Sequence, residues 1–163
     1  MPGSLSSGGF NDHLELRRKN RTTVDQYMRT NGEDRLRRHE LFTPDGSGGS
    51  WNTETGEPLV FKGHAKLAAL GVWLQQCFPD WQWHNVRVFE TDNPNHFWVE
   101  SDGRGTTRVP GYPEGYCENH YIHSFELDNG KITQNREFMN PFEQLRALGI
   151  PVPKIKREGI PAS

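Results

Sequence analysis

Tyr116-Cys117-Glu118-Asn119-His120-Tyr121-Ile122-His123-Ser124-Phe125-Glu126-Leu127, then Asp128-Asn129-Gly130, then Lys131-Ile132-Thr133-Gln134-Asn135-Arg136-Glu137-Phe138-Met139, is the stretch that decides the fold. The outer blocks read as strands with a side-chain period of two. The middle block is a hairpin turn, because Asn and Gly tolerate the positive φ that such turns require. Upstream, Trp83 to Phe89 and His96 to Gly103 read the same way, with Asp92-Asn93-Pro94-Asn95 as their turn. The second half of the chain is therefore an antiparallel meander.

Outward from the meander the period changes. Leu14, Arg17, Arg21, Val24, Tyr27 and Met28 recur at three- and four-residue steps, which predicts a helix from Asp12 to about Thr30, stopped by Asn31-Gly32. A short second helix is expected over 33–42. The run Thr43-Pro44-Asp45-Gly46-Ser47-Gly48-Gly49-Ser50 reads as a loop or a strained strand edge. It lacks the Lys-Ser/Thr of a phosphate-binding loop. Leu59-Val60-Phe61 is a short strand. A third helix, from about Gly63 to Phe78, carries Leu67, Leu70, Leu74, Cys77 and Phe78 on one face and ends at Pro79. At the far end Asn140 caps a last helix, Pro141 suits its first position, Glu143 completes a capping box, and Gly149 closes it. Helices followed by strands indicate an α+β cone, a curved antiparallel sheet wrapped around three N-terminal helices plus a short C-terminal helix. The expected organisation is a flexible arm over 1–11, one domain over 12–150 and a Pro-rich extension over 151–163.

Composition narrows the function. Nineteen Lys+Arg against 21 Asp+Glu leave a net charge of −2, whereas nucleic-acid binders rely on a basic excess. The cluster Arg17-Arg18-Lys19-Asn20-Arg21 is answered by nearby acids and reads as a solvated helix face. No apolar run is long enough to cross a bilayer, and the first residues have neither the basic nor the apolar region of a secretory signal. Cys77 and Cys117 form no CxxC and read as reduced, buried thiols. The expectation is a cytoplasmic protein with no nucleic-acid or membrane partner.

Glu137 is the candidate acid. Alternation places it on the face of Met139, and a carboxyl in an apolar cone keeps its proton more readily than in water. The competing reading is a salt bridge on a solvated edge. Arg37-Arg38 offer guanidinium forks suited to a carboxylate at a pocket rim, against the alternative of plain surface arginines. Trp51, Trp73, Trp81, Trp83 and Trp98 either pack the core or line a cavity for a flat ligand. His120 and His123 lie three apart on one strand and face opposite ways, so no metal site is expected, and both read as hydrogen-bonded sheet histidines.

Longer blocks carry a resemblance. They are Asn31 to Phe42, Gln76-Cys77-Phe78-Pro79-Asp80-Trp81, Pro110 to His120 and Asn135-Arg136-Glu137-Phe138-Met139-Asn140-Pro141-Phe142, together with the arm Met1 to Phe10. The chain resembles the phenazine biosynthesis A/B proteins, which are NTF2-like, SnoaL-like cones. The resemblance implies a homodimer without metal or organic cofactor. It implies head-to-tail condensation of two aminoketo-cyclohexene carboxylic acids, with loss of two waters, to the tricyclic phenazine precursor. The family's acid falls on Glu137, and its carboxylate-binding arginine falls on Arg38, expected to reach into the partner's pocket. On the third helix Leu70 and Leu74 stand where active members carry histidine and serine, with Trp73 beside them as a further substrate contact. This pattern is similar to that of the A paralogue, whose catalytic set is incomplete. Three roles remain open at this point: a weak condensing enzyme, a non-catalytic binding subunit that pairs with an active B paralogue, or, on fold analogy alone, an isomerase or hydrolase using the same cone.

Overall fold

The computed structural model describes residues 7–163. Helix α1 spans Ser7–Arg29, a 3₁₀ helix spans Gly32–Leu41, α2 spans His64–Cys77 and α3 spans Pro141–Ala147. Six strands complete the fold: β1 Phe42–Ser50, β2 Leu59–Lys62, β3 Gln82–Glu90, β4 His96–Thr107, β5 Gly115–Asp128 and β6 Lys131–Met139. They form one sheet in the order β2-β1-β6-β5-β4-β3. The β3 to β6 meander is antiparallel as expected, with Asn129 and Gly130 both at positive φ in the hairpin turn. Among the described residues the only parallel pairing joins β1 to β6.

Beyond β4, which runs on past the expected Gly103 to Thr107, two segments differ from the sequence reading. Residues 7–11 of the expected arm are helical, while residues 1–6 lie outside the described residues. No proline interrupts this stretch, so a helix already anchored downstream extends back through it without a new nucleation step, although Gly8 and Gly9 oppose it. The anchor is Asn20, fully buried, whose amide donates to the carbonyl of Pro94 at 2.8 Å and to Asn95 Oδ1 at 2.9 Å. Its Oδ1 accepts from the backbone N–H of Gly130 at 2.8 Å. The basic cluster around it serves the same docking, with Arg17 on the carbonyl of Thr91 and Arg21 near Glu90. The second difference is the glycine-rich run at 43–50, which is strand β1 rather than a loop. Parallel pairing to β6 and antiparallel pairing to β2 satisfy a backbone whose local composition argues against strand.

The core has two parts. Val24, Tyr27, Met28, Phe42, Leu67, Phe97, Val99, Phe125, Leu127 and Ile132 pack beneath α1. Trp81, Cys117, Tyr121 and Met139 form a second cluster toward α3. Between them the helices do not fill the concave side of the sheet, and a cavity remains. Gly103 makes room for its aromatic wall, since a Cβ there would lie 2.3 Å from Trp81 and 2.9 Å from both Trp83 and Tyr121. At the C-terminal end Asn140 caps α3 by accepting from the N–H of Phe142. Glu143 pairs instead with Arg146, so the expected capping box does not form.

Candidate functional site

The cavity holds about 290 Å³, and its wall is mostly apolar. From α2 come Leu67, Leu70, Trp73 and Leu74, from the turn before β3 comes Trp81, and from the sheet come Trp83, Tyr121 and Met139. Two charged groups matter most inside it. They are Glu137 from β6 and Arg38 from the 3₁₀ helix.

Glu137 sits where alternation along β6 places it, on the inner face between Asn135 and Met139. Its side chain keeps 21% of its exposure and makes no hydrogen bond among the described residues. Burial pushes its carboxyl up to about 7, against the opposing pull of the cationic Arg38 and Arg35. At neutral pH the group is thus divided between an acid and a base. The salt-bridged reading of Glu137 does not hold.

Within its own chain Arg38 lines the cavity. Its guanidinium carbon lies 4.5 Å above the ring of Tyr27 in its own chain, and Nε donates to Thr30 Oγ1 at 2.9 Å. The 3₁₀ turn and the strand that follows aim it into its own cone. Its Nη2 is buried with no partner among the described residues. A buried guanidinium N–H left unpaired is costly, and a ligand carboxylate would satisfy it. Arg37, the other sequence candidate, is on the surface, paired with Glu40 at 2.9 Å.

Arg35 was missed by the sequence reading and is the most buried arginine of the helix. It donates to the carbonyls of Leu74 and Phe78, closing the C-terminal end of α2. Gly71 lets the two helices approach this closely, since a Cβ there would lie 3.0 Å from the carbonyl oxygen of Arg35. Arg35 therefore fixes the height at which Leu70 and Leu74 face the cavity. The only cue in the sequence is three arginines within four positions, and the pitch of the helix decides among them.

The five tryptophans divide. Trp73, Trp81 and Trp83 line the cavity. Trp51 and Trp98 lie on the other face of the sheet around Arg136. The two histidines of β5 also face opposite ways. His120 is exposed and bonded to Asp102 and Glu100 at 2.8 and 3.0 Å. His123 is fully buried, and neither ring nitrogen has a partner, so it is not the hydrogen-bonded histidine expected. Cys77 and Cys117 are free, buried thiols.

The model of the phenazine biosynthesis protein A/B family matches residues 2–162. The chain belongs to that family. It is 99% identical to a phenazine biosynthesis protein PhzA of Pseudomonas fluorescens over the full length of both chains. The crystal structure of a phenazine biosynthesis-related protein (phzb2) from Pseudomonas aeruginosa is 68% identical, with a TM-score of 0.92 over 94% of this chain and 99% of that one. The A/B family thus includes relatives with both A-type and B-type names. A putative SnoaL-like polyketide cyclase from Jannaschia sp. CCS1 shares the fold at 19% identity, with a TM-score of 0.61 over 82% of this chain and 94% of that chain. The α+β cone of this A/B family member is therefore the SnoaL-like, NTF2-like fold. Among the described residues no helix is long and apolar enough to cross a membrane.

Proposed function

We propose that the chain acts in phenazine biosynthesis by promoting the head-to-tail condensation of two aminoketo-cyclohexene carboxylic acids in this cavity. The observation that carries the reading is the pairing of a carboxyl near neutrality with a guanidinium whose Nη2 has no partner among the described residues, in one apolar cavity. Its size, about 290 Å³, falls just short of the ~300–1,000 Å³ of small-molecule sites. Arg38 holds a substrate carboxylate. Each substrate amine attacks the other's ketone to give a carbinolamine. Glu137 gives its proton to the departing hydroxyl, which leaves as water, and its carboxylate takes back the proton shed by the iminium nitrogen. Two such steps form two C=N bonds and release two waters, with no oxidant or metal in the balance.

Leu70 and Leu74 favour a second reading. Both line the cavity and supply no proton-handling group to it. On that reading the protein is a binding subunit that holds substrate for a B-type relative. Orientation of two bound substrates still accelerates their union, by up to roughly 7–11 kcal/mol. Calorimetry with a cyclohexene or phenazine carboxylate tests the shared element of both readings. Arg38→Ala is expected to weaken binding by about 2–5 kcal/mol, because it removes the buried partner of a carboxylate. Unchanged affinity would remove Arg38 from the site.

The same reading includes an obligate dimer in the cytoplasm, where two buried thiols stay reduced. The outer face of the sheet supports it. Ile122, opposite Phe138, is 44% exposed there, beside an Arg136 that lies within 6 Å of the rings of Trp51, Trp98 and Phe138. Such a face suits a second copy of itself or a B-type relative. Sedimentation at micromolar concentration is expected to give a species of twice the 18.7 kDa chain. A single species of chain mass would contradict the dimer.

A further inference from the structure

His123 is buried more completely than the acid it adjoins, and nothing in the condensation scheme uses it. Its Cα is the direct partner of the Cα of Glu137 across the β5–β6 ladder. Both side chains point to the inner face, which brings His123 Nδ1 to 3.7 Å from Glu137 Oε1. The ring is clamped. It stacks between Tyr121 and Phe125 at 5.8 Å from each, and Trp83 meets it edge-on at 4.8 Å. Three inward positions in a row on one strand thus carry Tyr, His and Phe, and only the middle ring bears nitrogens.

A phenyl ring would fill that slot as well as an imidazole. The imidazole instead brings two polar atoms into an apolar stack, both without a partner, and leaving such groups unsatisfied is unfavourable. Resting on the reading of Glu137 as the acid, we propose that His123 is its positioning residue, a neutral imidazole whose Nδ1–H holds Oε1 and leaves the other carboxyl oxygen to carry the proton toward the cavity. A small side-chain rotation of Glu137 closes the present 3.7 Å to hydrogen-bonding distance.

The surroundings agree with that role. Burial and the nearby Arg38 drive the imidazole down to about 3, so it stays neutral wherever Glu137 titrates. The charged and titratable groups facing the pair are Tyr27 from α1, Arg35 and Arg38 from the 3₁₀ helix, and Tyr121 from β5. Burial pushes both tyrosines up, Tyr27 to about 12, so neither ionises near neutrality. Only the two arginines and one neutral N–H donor then oppose the burial of the carboxylate. An N–H donor favours the ionised carboxyl. Its removal therefore raises the midpoint of Glu137.

The test is a pH titration of the Glu137 carboxyl carbon by NMR in the dimeric or monomeric protein as isolated, without substrate. The signal is assigned by its loss in Glu137→Gln. His123→Phe keeps the stack and removes the donor. It is expected to move the Glu137 midpoint up by about one unit, a tenfold change in the acid equilibrium. His123→Asn, which retains an N–H, is expected to recover much of that shift. If the phenylalanine variant fails to unfold cooperatively in urea, His123→Met serves as the donor-free form. A midpoint that stays at the wild-type value, or one that moves down, overturns the proposal. Because no substrate is present, this outcome is independent of whether Glu137 serves the condensation. Loss of that catalytic role would show instead as a condensation rate indifferent to Glu137→Gln.

Discussion

Leu70→His combined with Leu74→Ser is expected to raise the anaerobic rate of tricycle formation, recovering part of the roughly 10²–10⁴ that one general acid–base partner usually contributes. The two positions are one turn apart on α2 and both face the cavity. Arg35 ties the end of that helix to the 3₁₀ turn, so the wall keeps its position when its side chains change. A leucine-sized site holds an imidazole without overpacking. The new histidine would take the amine proton while Glu137 supplies the one that leaves with the hydroxyl. Glu137→Gln in the same background is expected to erase the gain, because an amide has no proton to give. Formation of the tricycle followed by absorbance is the measurement. A wild-type rate already equal to that of a histidine-bearing relative would contradict this account of the two leucines, and a Glu137→Gln change without cost would contradict the acid.

Glu137→Gln is also expected to stabilise the protein above neutral pH. The folded carboxyl titrates near 7 and the unfolded one near 4.5. The folded state therefore binds the proton more tightly, and its advantage is full below about 4.5 and lost as pH rises through 7. The glutamine variant does not suffer that loss. At pH 8 it should exceed wild type by up to about 3 kcal/mol, and at pH 4 the two should converge. His123 works in the opposite direction, because its folded value is depressed to about 3. Its contribution is full above the unfolded value of 6.5 and is lost as pH falls toward 3. Between about 4.5 and 6.5 the two slopes cancel in wild type, so this pair leaves stability flat there. In Glu137→Gln only the histidine slope remains, and stability should rise with pH across that window. Urea unfolding at several pH values measures both effects. A variant no more stable than wild type at pH 8 would show that Glu137 is not held in an apolar setting.

Much of this was legible because it is local. Asp128-Asn129-Gly130 sets the hairpin, Asn140 caps α3, and alternation from Met139 back to Glu137 puts a carboxyl on the inner face. What depended on partners distant in sequence was not legible. β1 is a strand because β2 and β6 flank it, although its own Pro44 and glycines argue for a loop. The start of α1 depends on docking through Asn20 far downstream of Ser7. Arg35, Arg37 and Arg38 are alike in sequence, and the tertiary environment separates a helix clamp, a surface ion pair and a cavity group. His123 read as an ordinary sheet histidine because the stack around it and the Glu137 opposite it arise from strand pairing.

The most direct test is a crystal structure with a phenazine carboxylate bound. The account predicts the carboxylate on Arg38 Nη2 of the same chain, with the ring system among Trp73, Trp81 and Trp83 and a ring nitrogen edge facing Glu137. A ligand seated with its carboxylate away from Arg38, or bound outside this cavity, would contradict it.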